Sequence, residues 1–145
     1  MSRSKRSEMR PILLIEDNDD HAELISRLLD RVGGRVVRVV DGDEAMGYLA
    51  ANSARDEPRG NPSLVLLDLR LPKMDGIAVL RQLKESDECR TTPVIVLSSS
   101  AEPCEVARAY ANHANGYLVK PIDFDGFARM LEAVASYWLD WNEST

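Results

Sequence analysis

The chain has 145 residues, 44% of them apolar and 29% charged, a length and composition that suit one soluble globular domain with a substantial core. Its formal net charge of −6 excludes a general affinity for nucleic acid, because phosphate contacts need a cationic face. No apolar run approaches the roughly 20 residues that span a bilayer, and no membrane partner is expected.

Residues 1–10, MSRSKRSEMR, hold four basic side chains against one acid and read as a flexible basic tail, too polar for a secretory signal. Ile12 to Ile15 is short, β-rich and wholly apolar, as a strand covered on both faces is. Asp19 to Val32 then has helical spacing, with Ala22, Leu24, Ile25, Leu28 and Leu29 inward and Gly33-Gly34 as the stop. Val36 to Val40 is a second strand, and Arg35 and Arg38 place it at a sheet edge. After Asp41-Gly42, Asp43 is positioned to cap a helix carrying Ala45, Met46 and Leu49.

Asn52 to Ser63 is polar, with two prolines and a glycine, and reads as one long exposed loop. Leu64 to Leu67 is the third strand, and Asp75 caps a helix with Ile77, Val79, Leu80 and Leu83 on its apolar side. Val94 to Leu97 is the fourth strand; Pro103 to Ala111 is a helix with proline in its first turn. Gly116 to Val119 is the fifth strand and Phe124 to about Trp141 the last helix. Cys89 and Cys104 lack metal-ligand spacing and are expected to be reduced thiols of a cytoplasmic protein. Strand-helix alternation with short apolar strands predicts an α/β fold, a doubly wound five-stranded parallel sheet. The domain is expected over residues 11–141, with 142–145 as a C-terminal tail.

In such sheets, sites form beyond the carboxyl ends of the strands. The first strand ends in Glu16-Asp17, the third in Asp68, the fourth in Ser98 and the fifth in Lys120. Three carboxylates, a hydroxyl and an ammonium thus share one rim. Crowded carboxylates repel, and repulsion raises their pKa values or demands a cation. Hard oxygen ligands with room for water suit Mg2+. A carboxylate beside a divalent ion can attack phosphorus to give an acyl phosphate, and the nearby cations then neutralise the transferring oxygens. A hydroxyl at the fourth strand end could bind the phosphoryl group once present, a contact confined to the modified state.

The segments ILLIEDN, LVLLDLRLPKMDG, PVIVLSSS and GYLVKP stand in an order and spacing that closely resemble the receiver domain of two-component response regulators. The resemblance runs from about Pro11 to Trp138. It implies a flavodoxin-like, CheY-like fold with strand order 2-1-3-4-5, and a phosphoryl acceptor that assists its own phosphorylation and dephosphorylation rather than an enzyme. By position, Asp68 would accept the phosphoryl group. Asp17, Asp68 and the backbone carbonyl of Arg70 would bind Mg2+ directly, with Glu16 acting through bound water. Ser98 would be the switch hydroxyl, with the small Ser99 leaving room beside it. Lys120 would pair with Asp68 or the phosphoryl oxygens, aimed by a cis peptide to Pro121. Tyr117 matches the aromatic that moves inward with the switch hydroxyl.

The resemblance further implies a histidine kinase partner and an output through a downstream protein or onward phosphotransfer. The loop before LVLLDLRLPKMDG and the YWL-containing end resemble the subfamily that partners phytochrome-type sensor kinases. Two departures stand out: Glu16 replaces the commoner aspartate, and Arg70 and Ser100 occupy positions that tune phosphoryl lifetime. His21, His113, Cys89 and Cys104 read as bystanders.

In the last helix, Phe124, Phe127, Leu131, Val134 and Trp138 form a sheet-facing stripe. Met130, Ala133, Tyr137 and Trp141 form a second one. So wide a stripe reads either as local packing or as a homodimer or partner surface through Met130, Tyr137 and Trp141. Three rival functions differ in single features. A haloacid-dehalogenase-type phosphohydrolase needs an acid where Arg70 stands. A flavin carrier needs a hydroxyl-rich phosphate loop where Glu16-Asp17 would repel phosphate. An unphosphorylated receiver-like interaction module would not need the intact acid, hydroxyl and lysine set.

Overall fold

The computed structural model describes residues 10–54, 61–71 and 74–141. Most of the expected basic tail, the middle of the expected long loop and the expected C-terminal tail lie outside the described residues. Five strands, β1 (Ile12–Ile15), β2 (Val36–Val39), β3 (Leu64–Asp68), β4 (Val94–Ser98) and β5 (Gly116–Val119), form one parallel sheet in the order β2-β1-β3-β4-β5. This is the doubly wound topology that the sequence implied. Every residue of β1, β3 and β4 is buried, which is why their sequences are apolar throughout rather than alternating. β2 sits at one edge and is half-buried.

Successive side chains of a strand point to opposite faces, so each central strand feeds two cores. Leu13, Ile15, Val65, Leu67, Val94 and Val96 pack on one face against α2 (Gly42–Ala54), α3 (Gly76–Glu85) and α4 (Pro103–Ala111), through Leu49, Leu80, Leu83 and Ala109. Ile12, Leu14, Leu64, Leu66, Ile95 and Leu97 pack on the other against α1 (Asp19–Arg31) and α5 (Phe124–Ala135), through Ile25, Leu29, Leu131 and Ala135. Among the described residues no helix is long and apolar enough to cross a membrane.

Helix ends follow local chemistry. Asn18 caps α1 by accepting from the His21 N–H at 2.9 Å. Gly33, at φ 86°, ends it, with the N–H groups of Gly33 and Gly34 returning to the carbonyls of Asp30 and Leu29. The same two-bond ending closes α4, where His113 takes the left-handed position at φ 71°.

Several expectations are corrected. Asp41, not Asp43, caps α2: its Oδ1 accepts from the Glu44 N–H at 2.9 Å while Glu44 Oε1 accepts from Val40 N–H at 3.1 Å, and Asp43 falls inside the first turn. Asn52 belongs to α2 rather than to a loop, since its amide donates to the Tyr48 carbonyl one turn back at 3.0 Å. Arg70–Leu71 and Met74–Asp75 form an antiparallel pair that no alternation in the sequence announced.

Phe124 is 53% exposed, because it stands in the first turn just after the Asp123 cap; the inward stripe begins at Phe127. Met130 is half-buried against the α1–α5 core. Past Ala135 the helix continues as a π-helical segment, Ser136–Trp141, whose wider hydrogen-bond spacing breaks the stripe pattern. There Trp138 packs on the core and meets the exposed Tyr137 edge to face, with ring centroids 5.0 Å apart. The Trp141 side chain lies outside the described residues.

Candidate functional site

Register brings the chemistry to one level. Ile15 pairs with Leu67 and Asp68 with Leu97, so Glu16, one residue past β1, stands beside Asp68 at the carboxyl end of β3. Ser98 closes β4 beside Val119, and Lys120 follows directly, its N–H donating to the Ser98 carbonyl at 2.8 Å.

A buried strand can end on a charge here because donors meet both of its oxygens. Asp68 is only 7% exposed; Oδ1 accepts from the Arg70 N–H at 3.0 Å and Oδ2 from Lys120 Nζ at 3.3 Å. Glu16 is more deeply buried, at 1% exposure. Its Oε1 lies 3.7 Å from both Lys120 Nζ and His21 Nδ1 and has no hydrogen-bond partner among the described residues. Burial, followed by the hydrogen bond and the charge of Asp68, pushes the Glu16 carboxyl up from 4.5 to about 8; Lys120 and the Asn18 N–H oppose the shift.

Glu16, Asp17 and Asp68 each present a carboxylate oxygen within 4.8 Å of the others. Three hard donors, one of them with an orphaned buried oxygen, fit a small divalent cation such as Mg2+. Bound there, the cation would offset the burial and the neighbouring Asp68 charge that together make Glu16 retain its proton near neutrality.

The other expected residues fall around this centre. Ser98 is buried, its Oγ accepting from the Ser100 N–H at 3.1 Å, while Ser99 is exposed. Tyr117 is half-buried and donates its hydroxyl to the Ser100 carbonyl at 2.8 Å, tying β5 to the turn after β4. Leu69, Arg70, Asp75, Ile77, Ser98 and Arg108, with Glu105, line a small cavity of about 80 Å³ beside Ser98. The Lys120–Pro121 peptide is trans, which corrects the cis expectation. Trans is the favoured isomer even before proline, and Lys120 reaches Asp68 without the inversion.

Sequence reading missed two residues. His21, read as a bystander, faces Glu16 from the first turn of α1. Arg38, read only as an edge marker, donates from Nε to the Glu16 carbonyl at 2.8 Å. A cation at a strand position next to an acidic strand end was the available signal for it.

Comparison with known proteins agrees with this geometry. The probable methanogenesis regulatory protein FilR2 of Methanothrix harundinacea is 47% identical over 135 residues, covering 92% of this chain and 86% of its own length. The crystal structure of the phosphorylated cyanobacterial phytochrome response regulator RcpA superposes with a TM-score of 0.82 at 34% identity, covering 93% and 97% of the two chains. The Mn2+-bound form of response regulator Rcp1 gives a TM-score of 0.80 at 32% identity, covering 94% and 99%. Residues 12–132 match the response regulator receiver domain. With its acids, hydroxyl and lysine gathered at the strand ends of a doubly wound sheet, the chain belongs to the response regulator receiver family.

Proposed function

We propose that this response regulator accepts a phosphoryl group from a histidine kinase on Asp68, with Mg2+ held by Asp17, Asp68 and the Arg70 carbonyl, and by Glu16 through water. The observation that carries the reading is the pairing of a nearly buried Asp68 with Lys120 at 3.3 Å inside the acidic trio. An Asp68 oxygen attacks phosphorus, the bond from phosphorus to the kinase imidazole nitrogen breaks, and the electron pair leaves with that nitrogen. Mg2+, when bound, neutralises charge on the transferring oxygens. Lys120 supplies a second cation, 3.3 Å from the Asp68 carboxylate. Ser98 then exchanges its hydrogen bond with the Ser100 N–H for one to the phosphoryl group. Because Tyr117 holds the Ser100 carbonyl, that exchange reaches the surface formed by α4, β5 and α5.

FilR2 is a probable methanogenesis regulatory protein and RcpA a phytochrome response regulator, so the kinase is proposed as a class, with a phytochrome-type sensor as the first to try. Output passes to a downstream protein or phosphotransfer partner. The exposed Tyr137, with the exposed Val119, Ile122 and Phe124, supports a homodimer through the last helix. A wild type that sediments as a monomer at high concentration excludes that assembly.

The proposal is tested by incubating the protein with Mg2+ and a small acyl-phosphate donor and weighing it intact. One added phosphoryl group is expected, lost with EDTA and in Asp68→Asn; an unchanged wild-type mass refutes the reading.

A further inference from the structure

We infer that Arg38 is a positioning residue for the cation site: it holds the loop that carries Glu16 and Asp17 in the geometry that binds the metal. The inference rests on the Mg2+ reading above. Arg38 pairs in register with Leu14 on the edge strand, and its side chain runs up beyond the end of the β1–β2 ladder. There Nε donates to the Glu16 carbonyl at 2.8 Å, and Nη2 forms an ion pair, not a hydrogen bond, with Asp19 Oδ1 at the start of α1, 2.8 Å away.

The Glu16 carbonyl lies one residue past the last ladder pair, Ile15 with Val39, so the guanidinium satisfies an acceptor just beyond the sheet's own bonds. The Glu16 N–H is already fixed to the Val39 carbonyl at 3.0 Å, so β2 grips the residue through both of its peptide groups. Two residues on, Asn18 is fixed as the cap of α1. Asp17 therefore sits between two anchored neighbours, one of them held by Arg38. A ligand on an unanchored loop would lose conformational freedom each time the ion bound; here that loss is already incurred on folding. The planar guanidinium bonds the carbonyl through Nε while keeping its charge beside the Asp19 carboxylate, a geometry that the point charge of lysine does not reproduce.

The charge of Arg38 works in the opposite direction. A guanidinium beside a dication site repels the ion, so its removal should tighten binding if charge alone mattered. The sign of the effect therefore separates positioning from electrostatics. Mg2+ is titrated calorimetrically into wild type, Arg38→Lys and Arg38→Met at one pH and ionic strength, with folding checked by circular dichroism. Arg38→Met is expected to bind Mg2+ about tenfold more weakly, as supporting residues of metal ligands typically do, with Arg38→Lys between it and wild type. In acyl-phosphate reactions the Mg2+ needed for half-maximal labelling should rise while the maximal rate holds.

Equal or tighter binding by Arg38→Met, or a fall in the maximal rate, overturns the inference. If Arg38→Met does not fold, wild-type affinity in Arg38→Lys overturns it. A wild type that binds no Mg2+ removes the site reading itself, whereas a binding wild type with an indifferent Arg38 removes the inference alone.

Discussion

Lys120 Nζ lies 3.3 Å from Asp68 Oδ2 and 3.7 Å from Glu16 Oε1, facing two carboxylates of the acidic trio at once. As a half-buried cation facing the proposed acceptor, it is placed to offset charge on the transferring oxygens. Lys120→Met is therefore expected to slow labelling by an acyl-phosphate donor roughly 100-fold, the usual loss for one preorganised electrostatic contact. Intact mass against time measures it; an unchanged rate would mean that the lysine serves only to pair the resting carboxylate.

Glu16 makes stability depend on pH. Its folded pKa, about 8, stands above the ordinary value of 4.5, so between those values the folded chain holds a proton that the unfolded chain releases. The native state then binds more protons, and stability without metal falls as pH rises through that window. Melting temperature in EDTA should decline from pH 5 to pH 8, and Glu16→Gln should remove most of the decline. Mg2+ replaces the proton, so the stabilisation it gives should grow over the same range. A flat EDTA profile would show that the carboxyl ionises freely in its burial site.

Gly76 explains why the turn after Asp68 ends as it does. A Cβ there would lie 2.5 Å from the Leu69 carbonyl oxygen and 2.6 Å from the Leu69 Cα, both backbone atoms directly after Asp68. Gly76→Ala must push that backbone, at a cost of about 1–3 kcal/mol, and displace Asp68 with it. Chemical denaturation should show the loss of stability and the mass assay slower labelling. A variant equal to wild type in both would contradict the close approach.

His113 offers the reverse case. It holds the left-handed position after α4 that Gly33 holds after α1. A side chain with a Cβ is strained there, so His113→Gly should stabilise the protein by about 0.5–1 kcal/mol, read from the denaturation midpoint.

The central strands were legible because burial on both faces leaves no polar position to confuse the pattern: ILLI and LVLLD announce themselves. Glu16, Asp17, Asp68, Ser98 and Lys120 were legible for a related reason, as polar residues placed where such runs stop. What escaped depends on tertiary reach. A cation on the strand beside an acidic strand end hinted at Arg38, but local spacing does not say that its side chain passes the ladder end to Glu16, 22 residues earlier. His21 looked ordinary because its neighbour across the loop is a strand-end acid, not a helix partner. Asp41 and Asp43 are equally good caps by residue type, and only the register of α2 chooses between them. The outward turn of Phe124 and the π-helical ending beyond Ala135 depend on where α5 meets the sheet, which a periodic stripe cannot express.

The central claim is that Asp68 becomes an acyl phosphate. Treating the protein with Mg2+ and an acyl-phosphate donor, reducing it with borohydride and sequencing its peptides by mass spectrometry tests this directly, since reduction converts an aspartyl phosphate to homoserine. The account predicts homoserine at position 68, absent when Mg2+ is chelated. Homoserine at another acid, or at none, would contradict it.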